Sequence, residues 1–190
     1  MRYRASESSQ DGFDTIELAD NQASLSAVIV PPLGNNTIAL QLNGLNFIWR
    51  PNRTLGDLLE SRSLFGIPFL APWANRLSES SYWVDGCCYK LNPTIGNLRF
   101  DHHGQPIHGL LLFEHWKVCD LKATDNGAEA VSKLNFTSYP KLMAQFPFAH
   151  SLEMRHLLED GRLRVSLRIA SECAGRMPVS IGFHPYYTIP

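Results

Sequence analysis

Three short polar patterns carry the residues that could do chemistry. In chain order they are Ala74-Asn75-Arg76-Leu77, Ile107-His108-Gly109-Leu110 and Gly182-Phe183-His184-Pro185-Tyr186-Tyr187. Each sets a strong polar side chain among apolar or aromatic neighbours. An arginine is a fixed fork of donors that can hold ligand hydroxyls. A histidine titrates near pH ~6.5 when unperturbed, so it can hold or release a proton at cellular pH. One arginine and two histidines of this kind suit a pocket that takes a neutral, hydroxyl-rich ligand and moves protons on it.

Each pattern has a plainer alternative. Arg76 follows an apolar run with two prolines, Gly66 to Ala71 and on to Pro72-Trp73. A charge there needs partners, so it is either a structural ion pair at a rim or a substrate donor, with Asn75 beside it. His108 is either a satisfied core imidazole or a pocket residue. In the last pattern, strand alternation puts Ser180, Gly182 and His184 on one face, and Gly182 leaves room next to the imidazole. Trp73, next to Asn75-Arg76, is the tryptophan expected to stack on a ligand ring. His102, His103 and His108 also invite a metal reading. Such a site usually needs two histidines on one strand face plus a carboxylate, whereas adjacent histidines point to opposite faces of a strand, so no metal is expected. Neither a phosphate-binding loop nor a nucleophile elbow occurs.

The elements that must position these residues are strands. Asp85-Gly86 between Tyr82-Trp83-Val84 and Cys87–Leu91 predicts one hairpin, and Asp160-Gly161 between Ser151–Leu158 and Arg162–Ala170 predicts a second. On the return arm of the second, Leu163, Val165, Leu167 and Ile169 alternate with Arg164, Ser166 and Arg168, as in a half-buried antiparallel strand. Further strands are expected over 24–30, 37–42, 46–49, 114–120, 130–136 and 178–183, with one short helix over 54–62. With 12 prolines and 13 glycines as punctuation, the pattern predicts an all-β fold, a large antiparallel β-sandwich or barrel. Residues 1–12 read as a disordered lead-in and residues 13–190 as one domain.

Composition narrows the partners. The chain has 190 residues, a net charge of -1 and 44% hydrophobic residues, which is enough to bury a core. Scattered basic residues give no reason to expect nucleic acid or an anionic membrane. No apolar stretch reaches the ~20 residues of a membrane span, and the polar N-terminus does not read as an export signal. Four cysteines without zinc spacing read as reduced thiols in a cytosolic protein.

Taken together, four stretches resemble the aldose 1-epimerases, the galactose mutarotase-like proteins. They are Gly66 through Leu77, His108-Gly109-Leu110 with Trp116-Lys117-Val118, Phe146-Pro147-Phe148, and Met177 through Tyr187. The resemblance runs from about Ser24 to Pro190. It implies a galactose mutarotase-like β-sandwich with an open cleft for a pyranose and no cofactor. It implies that Arg76 binds substrate hydroxyls with support from Asn75, that His108 contacts the sugar near its ring oxygen, and that His184 is the general acid. The family's general base is a glutamate near the C-terminus of a longer chain. This chain stops six residues after His184, so the expectation is the N-terminal part of such a sandwich, incomplete at its C-terminus, with little or no epimerase activity. A sugar 6-phosphate substrate stays open, because Arg50, Arg53, Arg62 and Arg76 lie close in sequence. So does a purely carbohydrate-binding protein using the same cleft.

Overall fold

The computed structural model describes residues 1–189. Its strands are β1 (Tyr3–Gln10), β2 (Phe13–Asp20), β3 (Leu25–Val30), β4 (Asn36–Leu42), β5 (Leu45–Asn46), β6 (Phe69–Leu70), β7 (Ser81–Val84), β8 (Cys87–Lys90), β9 (Lys117–Thr124), β10 (Gly127–Asn135), β11 (His150–Glu159), β12 (Arg162–Ser171) and β13 (Gly182–Phe183); two short helices are α1 (Leu55–Glu60) and α2 (Pro140–Gln145). All strand pairs are antiparallel. A five-stranded sheet runs β1-β2-β3-β4-β5 and a four-stranded sheet runs β12-β11-β10-β9. This is the all-β sandwich expected of a galactose mutarotase-like chain.

Alternation explains how the sheets face each other. Ile16 and Leu18 on β2, Leu25, Ala27 and Ile29 on β3, Ala128 and Ala130 on β10, and Leu158 on β11 bury one shared core between them. A second core lies at the other end of the four-stranded sheet. There Leu152 and Met154 of β11 pack with Phe69, Trp73, Trp116, Phe136 and Phe146. The outer face of the first sheet is covered by α1, whose Leu55 and Leu58 bury against Val30, Ile38 and Phe65. That helix starts where its sequence says it should. Thr54 caps the Asp57 amide while the Asp57 carboxylate accepts from the Thr54 amide, a reciprocal cap that satisfies two otherwise orphan donors.

Both expected hairpins form, with Val84 opposite Cys87 and Glu159 opposite Arg162. Two expectations are corrected. Residues 1–12 are not a lead-in. Asp11 and Gly12 take positive φ, 53° and 82°, and close a third two-residue hairpin that pairs Tyr3–Gln10 with Phe13–Asp20. The strand is polar because it lies at a sheet edge. It is anchored by buried Tyr3, with Arg2 next to it gripping Asp20 through Nε (3.0 Å) and Nη2 (2.9 Å). Its partner β2 carried no legible alternation because it is buried on both faces, with Thr15, Ile16, Leu18, Ala19 and Asp20 all enclosed. The expected strand over 178–183 shortens to Gly182–Phe183. Among the described residues no helix is long and apolar enough to cross a membrane. All four cysteines are free thiols.

Candidate functional site

Residues 66–77 form a central rail on which the other two sequence patterns are hung. On one side, the Ala71 carbonyl accepts from the Leu110 amide at 2.6 Å, the Asn75 carbonyl from the His108 amide at 2.9 Å, and Arg76 bridges antiparallel to Ile107. On the other side, β13 pairs with β6, the His184 amide donates to the Pro68 carbonyl at 3.1 Å, and the Tyr186 amide donates to the Gly66 carbonyl at 2.9 Å. Segments more than seventy residues apart in sequence therefore meet across a single stretch of chain.

The close approach of 107–110 to the rail needs glycine at 109. Its φ is +70°, and a Cβ there would stand 2.1 Å from the Ala71 carbonyl oxygen. Backbone cannot yield as a side chain can. Gly109→Ala is therefore expected to cost about 2 kcal/mol of stability. Gly182→Ala, whose Cβ would meet only the Ala74 methyl at 3.4 Å, is expected to be near neutral. Denaturant unfolding of the two variants side by side checks this. Asn75 and His108 also sit at positive φ, 62° and 68°. Non-glycine residues held there store strain of about 1 kcal/mol or more, and such strain gathers at functional sites.

This backbone brings the imidazoles of His108 and His184 edge to face, with ring centroids 5.3 Å apart and planes at 75°. His184 is exposed to solvent, and the Tyr186 ring stacks on it at 4.9 Å. Trp49 follows at 5.9 Å from Tyr186. His108 is only 8% exposed, and its Nδ1 is buried without a protein partner. Burial first, then the nearby His184, Arg99 and Arg76, push its pKa down to about 4, so at neutral pH it is an uncharged imidazole with one free ring nitrogen. Arg76 lies at the mouth, 43% exposed; its Nε donates to Asp101 Oδ2 at 2.5 Å and its Nη1 to Asn75 Oδ1 at 3.1 Å. Arg99 comes from the other side. Its Nη1 donates to the Arg62 carbonyl, and burial lowers its pKa. His184 and Arg76 face open solvent. Two concavities of about 480 and 500 Å³ lie elsewhere, one beside Glu7, Asp14 and His115 and the other beside Gln41, Arg50 and Thr188.

Of the residues singled out from sequence, Asn75, Arg76, His108 and His184 converge. Trp73 does not join them as a stacking surface. It is 5% exposed and packs in the second core, because the rail that presents Asn75 and Arg76 turns their apolar neighbour inward. Tyr186 takes the aromatic place beside His184. Of the four arginines that might have converged, Arg53 holds the C-terminal end of α1 through Ser61 and the Asp57 carbonyl, and Arg50 reaches Gln10. The His102 and His103 rings lie 3.8 Å apart, tilted at 45°, in an exposed turn. Among the described residues no three His, Cys, Asp or Glu side chains are grouped as a metal site would need. Asp101 and Arg99 were not foreseen. The one available signal was Asp101 followed three residues later by Gly104, an aspartate-headed turn.

Comparison with known proteins places the architecture. The aldose 1-epimerase family model matches residues 14–190. A galactose mutarotase-like protein from Clostridium acetobutylicum superposes with a TM-score of 0.85 at 19% identity, over 98% of this chain and 54% of its own. The Slr1438 protein of Synechocystis sp. PCC 6803 gives 0.73 at 27% identity, over 91% and 54%. Galactose 1-epimerase from Lactobacillus acidophilus gives 0.66 at 18%, over 90% and 49%. The Escherichia coli K12 protein YihR is 28% identical over 122 residues, 63% of this chain and 35% of its own length. The chain belongs to the aldose 1-epimerase family, and it spans about half the length of the solved structures it matches and about a third of that curated relative.

Proposed function

We propose that the His108–His184 pair, with Arg76 and Asn75, binds the pyranose form of an aldohexose and serves its anomeric interconversion. His184 protonates the endocyclic oxygen as the C1–O5 bond opens, while a base takes the proton of the anomeric hydroxyl. The free aldehyde turns, and closure on its other face returns both protons. His108, neutral, contacts the sugar near the same oxygen. Arg76 and Asn75 hold hydroxyls. A positioned proton-transfer group contributes ~10²–10⁴-fold. The observation that carries the reading is the 5.3 Å approach of two imidazoles from separate segments, with a solvent-facing guanidinium beside them.

The base is the weak side of the site. The carboxylate paired with Arg76, Asp101, is 4% exposed; it accepts from Arg76 and from the His103 and Gln105 amides, and these donors hold its pKa at about 2. So weak a base removes a hydroxyl proton poorly. We therefore expect this polypeptide to bind aldohexoses and to accelerate mutarotation little. Polarimetry on freshly dissolved α-D-glucose and α-D-galactose checks it. Rapid mutarotation that survives His184→Ala contradicts the assignment of the acid. Binding with no acceleration at all, altered by His184→Ala in affinity alone, favours the second reading, a carbohydrate-binding role for the same cleft. For a hexose 6-phosphate substrate, Arg50 and Arg53 are engaged elsewhere while Arg76 and Arg99 lie near His108; comparing glucose with glucose 6-phosphate tests it.

A further inference from the structure

The loop 100–106 is closed on itself and has one arm reaching out. Phe100 bridges to Pro106, the Asp101 amide donates to the Gln105 carbonyl at 3.0 Å, and the Gly104 amide donates to the Asp101 carbonyl at 3.0 Å. The two oxygens of the Asp101 carboxylate then divide their work. Oδ1 accepts from the His103 and Gln105 amides, both at 2.9 Å, and fixes the carboxylate inside the loop. Oδ2 leaves the loop and accepts from Arg76 Nε, twenty-five residues away. The Asp101 side chain is 4% exposed, so the anchor is rigid while the guanidinium it holds is at the surface.

The choice of Nε matters. A surface arginine paired with a carboxylate commonly commits its terminal fork to it. Here the carboxylate takes the inner edge. Nη1 donates to Asn75 Oδ1, and among the described residues Nη2 has no protein partner. An arginine side chain carries considerable rotamer entropy, which a ligand would otherwise have to freeze out on binding.

We propose that Asp101 is a positioning residue for the sugar site: it clamps Arg76 by its inner nitrogen so that the outer guanidinium edge is held ready for ligand hydroxyls. This rests on the sugar-binding reading above. Asp101 acts through Arg76 and touches no sugar. Its carboxylate stays charged down to a pH of about 2, with the backbone donors first and Arg76 second as cause, so the clamp stays engaged throughout the range in which sugars are handled.

The test is a double-mutant cycle read by calorimetric binding of D-glucose and D-galactose to the whole chain. Asp101→Asn keeps an oxygen for the loop amides but presents an amide donor to Arg76 Nε. It is expected to weaken binding about tenfold, close to the effect of Arg76→Ala. The double variant is expected to bind no worse than Arg76→Ala alone, because coupled residues are not additive. A merely structural aspartate would instead lower the melting temperature and leave affinity unchanged. If Arg76→Ala weakens binding and Asp101→Asn does not, the clamp is wrong and the sugar reading stands. If the wild-type chain binds neither sugar, the sugar reading falls and the clamp with it. Should Asp101→Asn not fold, hydrogen exchange of the Arg76 Nε–H in the wild-type chain decides. Protection relative to the exposed Arg164 supports the clamp, and equal exchange overturns it.

Discussion

Arg76→Ala is expected to weaken aldohexose binding by about tenfold to a hundredfold without unfolding the chain. The magnitude follows from what the side chain offers. Hydrogen bonds to a charged group contribute about 1.5–3 kcal/mol each, and 1.4 kcal/mol is a factor of ten in affinity. Solvent screening at a 43% exposed group keeps the loss within that range. The fold should tolerate the change, because the guanidinium fills no core and the backbone bridge from Arg76 to Ile107 needs no side chain. Arg76→Lys should bind almost as poorly, since an ammonium keeps the charge and loses the planar fork. Calorimetric titration with D-glucose or D-galactose measures both, and circular dichroism melts show whether each variant is folded. Unchanged affinity in Arg76→Ala would remove the arginine from the site.

The second large effect concerns stability and pH. His156 lies in the inward row of β11, between Met154 and Leu158, fully enclosed and with Nδ1 unpartnered. Burial lowers its pKa to about 4, against ~6.5 in an unfolded chain. Above pH ~6.5 the ring is neutral in both states and nothing is lost. As pH falls from ~6.5 toward 4, the unfolded chain takes up a proton that the folded chain refuses, so stability drops. Below 4 both are protonated and the loss is complete, about 3 kcal/mol. His108 and His150, also lowered chiefly by burial, act in the same direction. Carboxylates such as Asp20 and Glu129, whose pKa values are lowered by their arginine partners, lose their contribution only as the pH falls into and below the carboxylate range. Between pH 4.5 and 7 the slope is therefore mainly that of the histidines. Urea unfolding across that range should show it, and His156→Leu should flatten it. An identical slope in the variant would mean that His156 is not the group responsible.

How much of this is legible in the sequence follows from the residues themselves. Asp85-Gly86 and Asp160-Gly161 announced their hairpins because glycine after aspartate is the local chemistry of a tight two-residue turn. The short helix over 54–62 was legible as a stretch, and the reciprocal Thr54–Asp57 cap fixes its start. Asp11-Gly12 carried the same signal. It was hidden by a polar edge strand on one side and by β2, buried on both faces, on the other. The four polar members of the site were legible as types, since arginine and histidine in apolar settings stand out. Trp73 misled because nearness in sequence to Arg76 says nothing about which face of an extended rail a ring takes. Asp101 and Arg99 were not legible. Their roles arise from contacts across 25 and 37 residues, Asp101 to Arg76 and Arg99 to the Arg62 carbonyl, and no local pattern encodes such distances.

That convergence also explains why the site is spread over three segments. Each segment alone has too little apolar surface to fix a histidine. Laid on the 66–77 rail, each gains backbone hydrogen bonds on one side and the second core beneath it. Strain at Asn75 and His108 is then held by neighbours that are themselves held.

The central claim is that the imidazoles of His108 and His184 share one bound monosaccharide. Titration of the chain with D-galactose and D-glucose, followed through the histidine ring-proton resonances, tests it most directly. The account predicts that signals of residues 108 and 184 move together and saturate at one ligand concentration, while those of His102, His115 and His156 stay still. Saturation at other histidines with 108 and 184 unmoved would contradict it.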